Sequence, residues 1–220
     1  MSSTGGERAD ARRAQLATIL ATAAIIPVIT IERAEDAVPL ARALIDGGMA
    51  TLEITLRTPA APAAIAAIAR AVPEAIIGVG TVLDRRDLER ARALGARFAL
   101  SPGATADLLA AAATSPLPLI PGVQTASEVM AAVAHGFSIL KFFPAAGGLP
   151  ALRALAGPFP HVRFCPTGGI GEDTVAAWLA LPNVAAVGGS WLTPGDEVRA
   201  GNWAAIGARA QRALAAARRA

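Results

Sequence analysis

Short apolar runs rich in β-branched residues recur about every 20–25 residues along the chain: IIPVIT (25–30), TLEITL (51–56), AIIGVGTV (75–82), RFALSP (97–102), PLIPGV (118–123), SILKFFP (138–144), VRFCPTGG (162–169) and VAAVGGS (184–190). Between them the apolar positions take a helical spacing, as over Ala34–Ile45, Pro62–Ala71, Asp87–Leu94, Ser127–His135 and Thr174–Leu181. Glycines 47, 48, 95 and 136 stand where such helices should stop. Strict strand–helix alternation predicts a parallel sheet of βαβ units. Eight units in about 200 residues fit the small end of the (β/α)8 TIM-barrel range. A doubly wound open sheet has the same periodicity and stays open as an alternative. No linker or composition break divides residues 1–220, which read as a single α/β domain with an N-terminal helix over about 7 to 22. Residues 1–6 are expected to be disordered.

Within TLEITLR the alternation is uneven. Leu52, Ile54 and Leu56 share one face, while Thr51, Glu53, Thr55 and Arg57 share the other. Helices would cover the apolar face, leaving a glutamate and an arginine inside a barrel, where each needs a partner or a ligand. A structural ion pair between Glu53 and Arg57 is the plain reading.

Composition sharpens the search. Of 20 basic residues, 19 are arginine, and Lys141 is the only lysine. It lies inside the apolar run SILKFFP, on one face with Ile139 and Phe143. Arginine stays charged, whereas an amine among apolar neighbours and near another cation can lose its proton in the working pH range. Attack on a carbonyl requires that neutral amine. A lysine snorkelling from a strand end is the alternative. The sequence is 54% hydrophobic and 17% charged with a net charge of +3, which excludes a disordered chain, and its scattered arginines lack the aromatic interleaving of a nucleic-acid groove. The apolar stretch 16–29 is too short and too interrupted for a membrane span. It reads as the end of a helix and a first strand, Ala24–Ile29, rather than a leader, and the single Cys165 suits a reducing compartment, so a cytoplasmic protein is expected.

Two glycine-rich strand ends, PTGGIGEDT (166–174) and GGSW (188–191), follow the seventh and eighth runs. Small residues there, a helix N-terminus and the Ser190 hydroxyl could surround an anion, and barrels often place phosphate at these two loops.

The motifs LEITLRT (52–58), GVGTVLD (78–84), SPG (101–103), LIPGV (119–123), KFFPA (141–145), GPF (157–159), FCPTGGI (164–170) and GGSWL (188–192) resemble the bacterial 2-dehydro-3-deoxy-6-phosphogluconate (KDPG) and 4-hydroxy-2-oxoglutarate (KHG) aldolases of the Entner–Doudoroff pathway. The resemblance runs from about Ile19 to the C-terminus. It implies a homotrimeric class I aldolase that needs neither metal nor cofactor, because its substrate forms a covalent imine. By that resemblance Lys141 is the Schiff-base lysine and Glu53 the general acid/base, and Arg57 and Thr81 hold the pyruvate carboxylate. Pro102 and Phe143 would pack around the pyruvyl group, Thr167 would touch the sugar-acid chain, and Gly168, Gly169, Gly189 and Ser190 would bind phosphate. The PTGG and LRT forms favour the gluconate over the galactonate epimer. One departure is visible: after KFFPA the family usually carries a glutamate and a slightly longer loop, where this chain reads AAGGLP. The partner implied is thus a phosphorylated 2-oxo sugar acid, with neither nucleic acid nor membrane.

Blander roles are expected elsewhere. His135 reads as a helix C-cap, His161 as a loop residue and Cys165 as buried packing, and Trp178, Trp191 and Trp203 as core or subunit contacts. No His/Cys/Asp/Glu cluster has metal-ligand spacing. Two rival functions remain: an isomerase or epimerase in which Lys141 acts only through its charge, and a catalytically silent sugar-phosphate-binding protein.

Overall fold

The computed structural model describes residues 3–218. Nine short strands, β1 (Ile25–Ile29), β2 (Thr51–Thr55), β3 (Ile76–Gly80), β4 (Phe98–Leu100), β5 (Leu119–Ile120), β6 (Gly122–Val123), β7 (Ile139–Phe142), β8 (Arg163–Pro166) and β9 (Val187–Gly189), alternate with helices. Helix α1 (Ser3–Ala21) precedes them, and α2 (Ala37–Asp46), α3 (Ala61–Ala71), α4 (Arg85–Ala93), α5 (Ala106–Thr114), α6 (Ala126–Ala134), α7 (Gly148–Ala156), α8 (Val175–Leu179), α9 (Gly195–Arg199) and α10 (Trp203–Ala217) follow in turn. The first helix starts earlier than expected and takes in Ser3–Gly6, part of the segment expected to be disordered; Met1 and Ser2 lie outside the described residues.

All strand pairings among the described residues are parallel. One sheet runs β5-β4-β3-β2-β1-β9 and another β6-β7-β8. Parallel bridges Phe164–Val184 and Thr167–Gly188 join β8 to β9, and the chain runs from β5 into β6, so the two sheets close on each other. Closure decides for the (β/α)8 barrel over the open doubly wound sheet. The run 118–123, expected as one strand, divides at Pro121, which has no N–H to donate to a ladder. Its carbonyl still accepts from Lys141 N at 2.8 Å, and Gly122 N donates to the buried Ser101 Oγ at 3.1 Å.

The inward–outward alternation read from TLEITLR holds. Leu52 and Ile54 join the core between barrel and helices, with Ile29, Ile77, Val79, Leu140, Phe142 and Phe164. A second cluster fills the interior: Ile26, Phe98, Leu100, Ile120, Ile139, Cys165 and Ala186 meet Leu16, Ile19 and Leu20 of α1, which plug its lower end. Burial of each Leu, Ile or Phe side chain among them contributes about 1.5–3 kcal/mol. Phe98 can occupy that interior because Gly78 beside it has no side chain; a Cβ there would come within 2.3 Å of the ring.

Helix ends follow their sequence signals. Gly48, Gly95 and Gly136 take positive φ of 92°, 88° and 84°, where a Cβ would be strained. Thr125 and Glu128 form a reciprocal capping box on α6. His135 is the C-cap of that helix, and His161 is exposed in a loop. Trp178 is buried, and Trp191 and Trp203 pack half-buried against the core. Among the described residues no helix is long and apolar enough to cross a membrane.

Candidate active site

Lys141 occupies the middle of β7 and faces the barrel interior. Its Nζ donates to Glu53 Oε1 on β2 at 2.9 Å, with side chains only 3% and 1% exposed. This pairing excludes the plain alternative of an interior ion pair between Glu53 and Arg57. The reason is direction: a residue at the fourth position after Glu53 lies past the end of β2, and Arg57 reaches outward to the rim. There its Nε donates to Thr81 Oγ1 at 3.1 Å. The group in contact with the amine is therefore the carboxylate expected beside it, while Arg57 lies at the rim.

Burying such a pair costs several kcal/mol per ion before attraction offsets it, so an apolar pair of similar volume would hold the fold at least as well. Glu53 Oε2 is buried and has no hydrogen-bond partner among the described residues. An unsatisfied buried acceptor costs about 1–3 kcal/mol. One oxygen thus holds the amine while the other is free to accept from a hydroxyl or water.

Around this pair, the remaining expected residues collect at the C-terminal ends of the strands. Arg57 follows β2, Thr81 follows β3, Pro102 follows β4, Phe143 follows β7, Thr167 to Gly169 follow β8, and Gly189 and Ser190 end and follow β9. Phe143 places its ring centroid 5.5 Å from Lys141 Nζ. Thr81 is the only non-glycine residue with positive φ (63°) among the described residues, a conformation costing a β-branched residue on the order of 1–2 kcal/mol. Strain is thus stored at the residue that receives Arg57. Gly168 and Gly169, at φ 92° and 76°, form the turn after β8. The helix start expected to share in an anion site is not adjacent to them: α8 begins only at Val175 and has five residues. The glycine turn itself is what the structure leaves there.

Cys165, in register with Lys141, is a packing residue as expected; burial pushes its thiol from the ordinary 9.0 up to about 12, opposed by Lys141 and reinforced by Glu53. Two hydroxyls near the site, Thr30 and Thr55, were not among the expected site residues. Thr55 Oγ1 donates to Ile29 O at 3.0 Å and lies 3.1 Å from Thr30 Oγ1; Thr30, with Ser190, Thr193 and Arg199, lines a cavity of about 220 Å3. The inward alternation had pointed at Thr55, and its extension to β1 would have found Thr30. A larger cavity of about 560 Å3 lies between α2 and α10 on the outer surface, remote from this chemistry.

Comparison with known proteins agrees with the geometry. The sequence profile of the KDPG and KHG aldolases matches residues 16–209. The chain belongs to the KDPG and KHG aldolase family. These aldolases are carbon–carbon lyases. A KHG/KDPG aldolase of Escherichia coli K12 is 49% identical over 203 residues, which are 91% of this chain and 95% of that protein. The KDPG aldolase of Legionella pneumophila superposes with a TM-score of 0.87 at 47% identity, over 89% of this chain and 96% of that one; its structure captured pyruvate at low pH as a covalent carbinolamine intermediate. A Zymomonas mobilis ZM4 KDPG aldolase, solved with 3-phosphoglycerate, superposes at 0.85 and 44% identity, covering 89% and 93%.

Proposed function

We infer that this chain is a class I aldolase that cleaves KDPG to pyruvate and glyceraldehyde 3-phosphate through an imine on Lys141, and KHG to pyruvate and glyoxylate by the same steps. The observation that carries this is the sole lysine, buried in the barrel, hydrogen-bonded to a glutamate whose second oxygen is unpartnered.

The 2.9 Å contact is a path for a proton from Nζ to Glu53 Oε1. The neutral amine attacks the C2 carbonyl, giving a carbinolamine of the kind captured in the Legionella enzyme. Glu53 returns the proton to the departing hydroxyl, and loss of water leaves a protonated imine. Glu53, through a water held by Oε2, then accepts the C4 hydroxyl proton. The C3–C4 bond breaks, its electron pair moves toward the imine nitrogen, and the aldehyde leaves an enamine behind. Protonation at C3 from Glu53 and hydrolysis of the imine release pyruvate and restore Lys141. Acid/base catalysis of this kind contributes about 10²–10⁴-fold.

Arg57, oriented by Thr81, binds the substrate carboxylate, and a bidentate guanidinium suits that anion. Pro102 and Phe143 pack on the pyruvyl carbons. Thr167 contacts the sugar-acid chain, and Gly168, Gly169, Gly189 and Ser190 take the phosphate. The phosphate end fixes the reacting carbons and contributes orientation rather than bond-making. The PTGG and LRT forms support the gluconate epimer, and the short AAGGLP loop at the mouth is where closure and substrate range would differ from relatives. We place this enzyme in the cytoplasm as a homotrimer, which light scattering of the purified protein tests.

Borohydride added with pyruvate should attach one pyruvyl group, at Lys141 by peptide mass spectrometry. Cleavage of substrate without any adduct would overturn the covalent mechanism. A lactate dehydrogenase-coupled assay comparing KDPG, its galactonate epimer and KHG ranks the substrates.

A further inference from the structure

The catalytic glutamate has an unusual neighbour. Gly80 is the last residue of β3, buried and paired in register with Thr55. A Cβ built on it would lie 2.2 Å from Glu53 Oε1, 2.8 Å from its Cγ and 2.9 Å from its Cδ. All three nearest atoms belong to Glu53. Gly80 has no positive φ, so backbone conformation gives no reason for glycine here. What it lacks is volume, and the Glu53 carboxylate fills the space that every other residue type would occupy. In the same strand, Gly78 makes room for Phe98, a packing function in the lower barrel. Two glycines one strand-repeat apart thus serve a core ring and a reactive carboxylate.

We propose that Gly80 is a positioning residue for the aldol reaction: its bare backbone seats the Glu53 carboxylate against Lys141 with Oε2 turned to the substrate, and any side chain there drives Glu53 out of that seat. The proposal rests on Glu53 being the acid/base of the inferred aldolase. Oε1 is both the atom closest to the missing Cβ and the atom hydrogen-bonded to Nζ, so in Gly80→Ala either the Glu53 side chain or the β3 backbone must shift, and the side chain is the more flexible of the two. Arg57, Thr81 and the glycine turn after β8 keep their own contacts, so substrate binding should persist.

The test measures two reactions of pyruvate. Borohydride trapping reads imine formation at Lys141, and exchange of the methyl protons with deuterium oxide reads proton transfer by Glu53. Wild-type protein must show both; if it forms no adduct, the aldolase reading fails first and separately. In Gly80→Ala, methyl exchange and kcat should fall about 10²-fold, as for a reacting group displaced by about 1 Å, with KM nearly unchanged and the trapped adduct still reaching one per chain, though more slowly, because Glu53 also serves imine formation. A merely structural glycine would lower the thermal midpoint and leave the exchange rate per folded molecule intact, which would overturn the proposal. A cycle with Glu53→Ala covers the case in which Gly80→Ala does not fold. If the added methyl group meets Glu53, the double variant should melt with Glu53→Ala alone. If Gly80→Ala destabilises the chain equally whether or not Glu53 is present, the clash lies elsewhere and the proposal is wrong.

Discussion

The two ends of the barrel interior are built from the same strands by opposite rules. At the lower end, Ile26, Phe98, Ile120 and Ile139 meet Leu16, Ile19 and Leu20 of α1 in a dry plug. At the upper end Glu53 of β2, Lys141 of β7 and Thr167 after β8 are all buried, and they open onto Arg57 and Ser190 at the rim. The lower half satisfies every demand of packing. The upper half keeps a buried ion pair, an unpartnered carboxylate oxygen and a strained Thr81, none of which the fold requires. Asn183 Oδ1, buried and unpartnered before β9, is a lone exception at the lower side among the described residues; the other costly features gather at the upper end of the strands, and that clustering locates function more surely than cavity size does.

The largest effect that tests this division is expected from Lys141→Met. Pyruvate production should drop on the order of 10⁴-fold or more, since removing the proposed covalent nucleophile would disable the whole catalytic unit. Leaving Glu53 unpaired should also cost about 3–5 kcal/mol in a urea titration, whereas Lys141→Met combined with Glu53→Leu should recover that loss or exceed wild type. A double variant as unstable as the single one would show that the ion pair holds the fold.

Phe98→Ala is the mirror experiment in the lower half. It should lower stability by about 3–5 kcal/mol, measured by urea unfolding, while KM and kcat of the folded protein stay within a few fold. Kinetic constants that collapse along with stability would break the division between the two halves.

Arg57→Ala should raise KM for KDPG about 10–100-fold, from loss of a charged hydrogen bond worth about 1.5–3 kcal/mol, and leave the thermal midpoint almost unchanged because the side chain is exposed. Steady-state kinetics and calorimetry separate the two.

The smallest effect concerns Cys165, at the boundary between the halves. Its folded thiol is raised from 9.0 to about 12, so between those values the unfolded chain releases a proton that the folded chain keeps. The contribution is therefore intact below pH 9 and is lost as pH rises toward 12. Cys165→Ala should flatten the fall of stability with pH over that window, and native protein at pH 8 should resist thiol alkylation until unfolded. Rapid alkylation of the folded chain would contradict the burial.

Periodicity by itself determined the order of strands and helices and the inward face of β2, because each of these is set by neighbours within a few residues, and composition singled out a lone lysine in an apolar run as the group that does chemistry. Motif resemblance added the family. Tertiary structure alone decided that the sheet closes, that Pro121 splits a strand, and that Glu53 turns to Lys141 while Arg57 turns to Thr81. Those outcomes join residues 88 positions apart or depend on which volume a neighbouring strand leaves empty, as Gly80 does for Glu53. Local pattern fixes which face a side chain takes; only the packed barrel determines what it meets there.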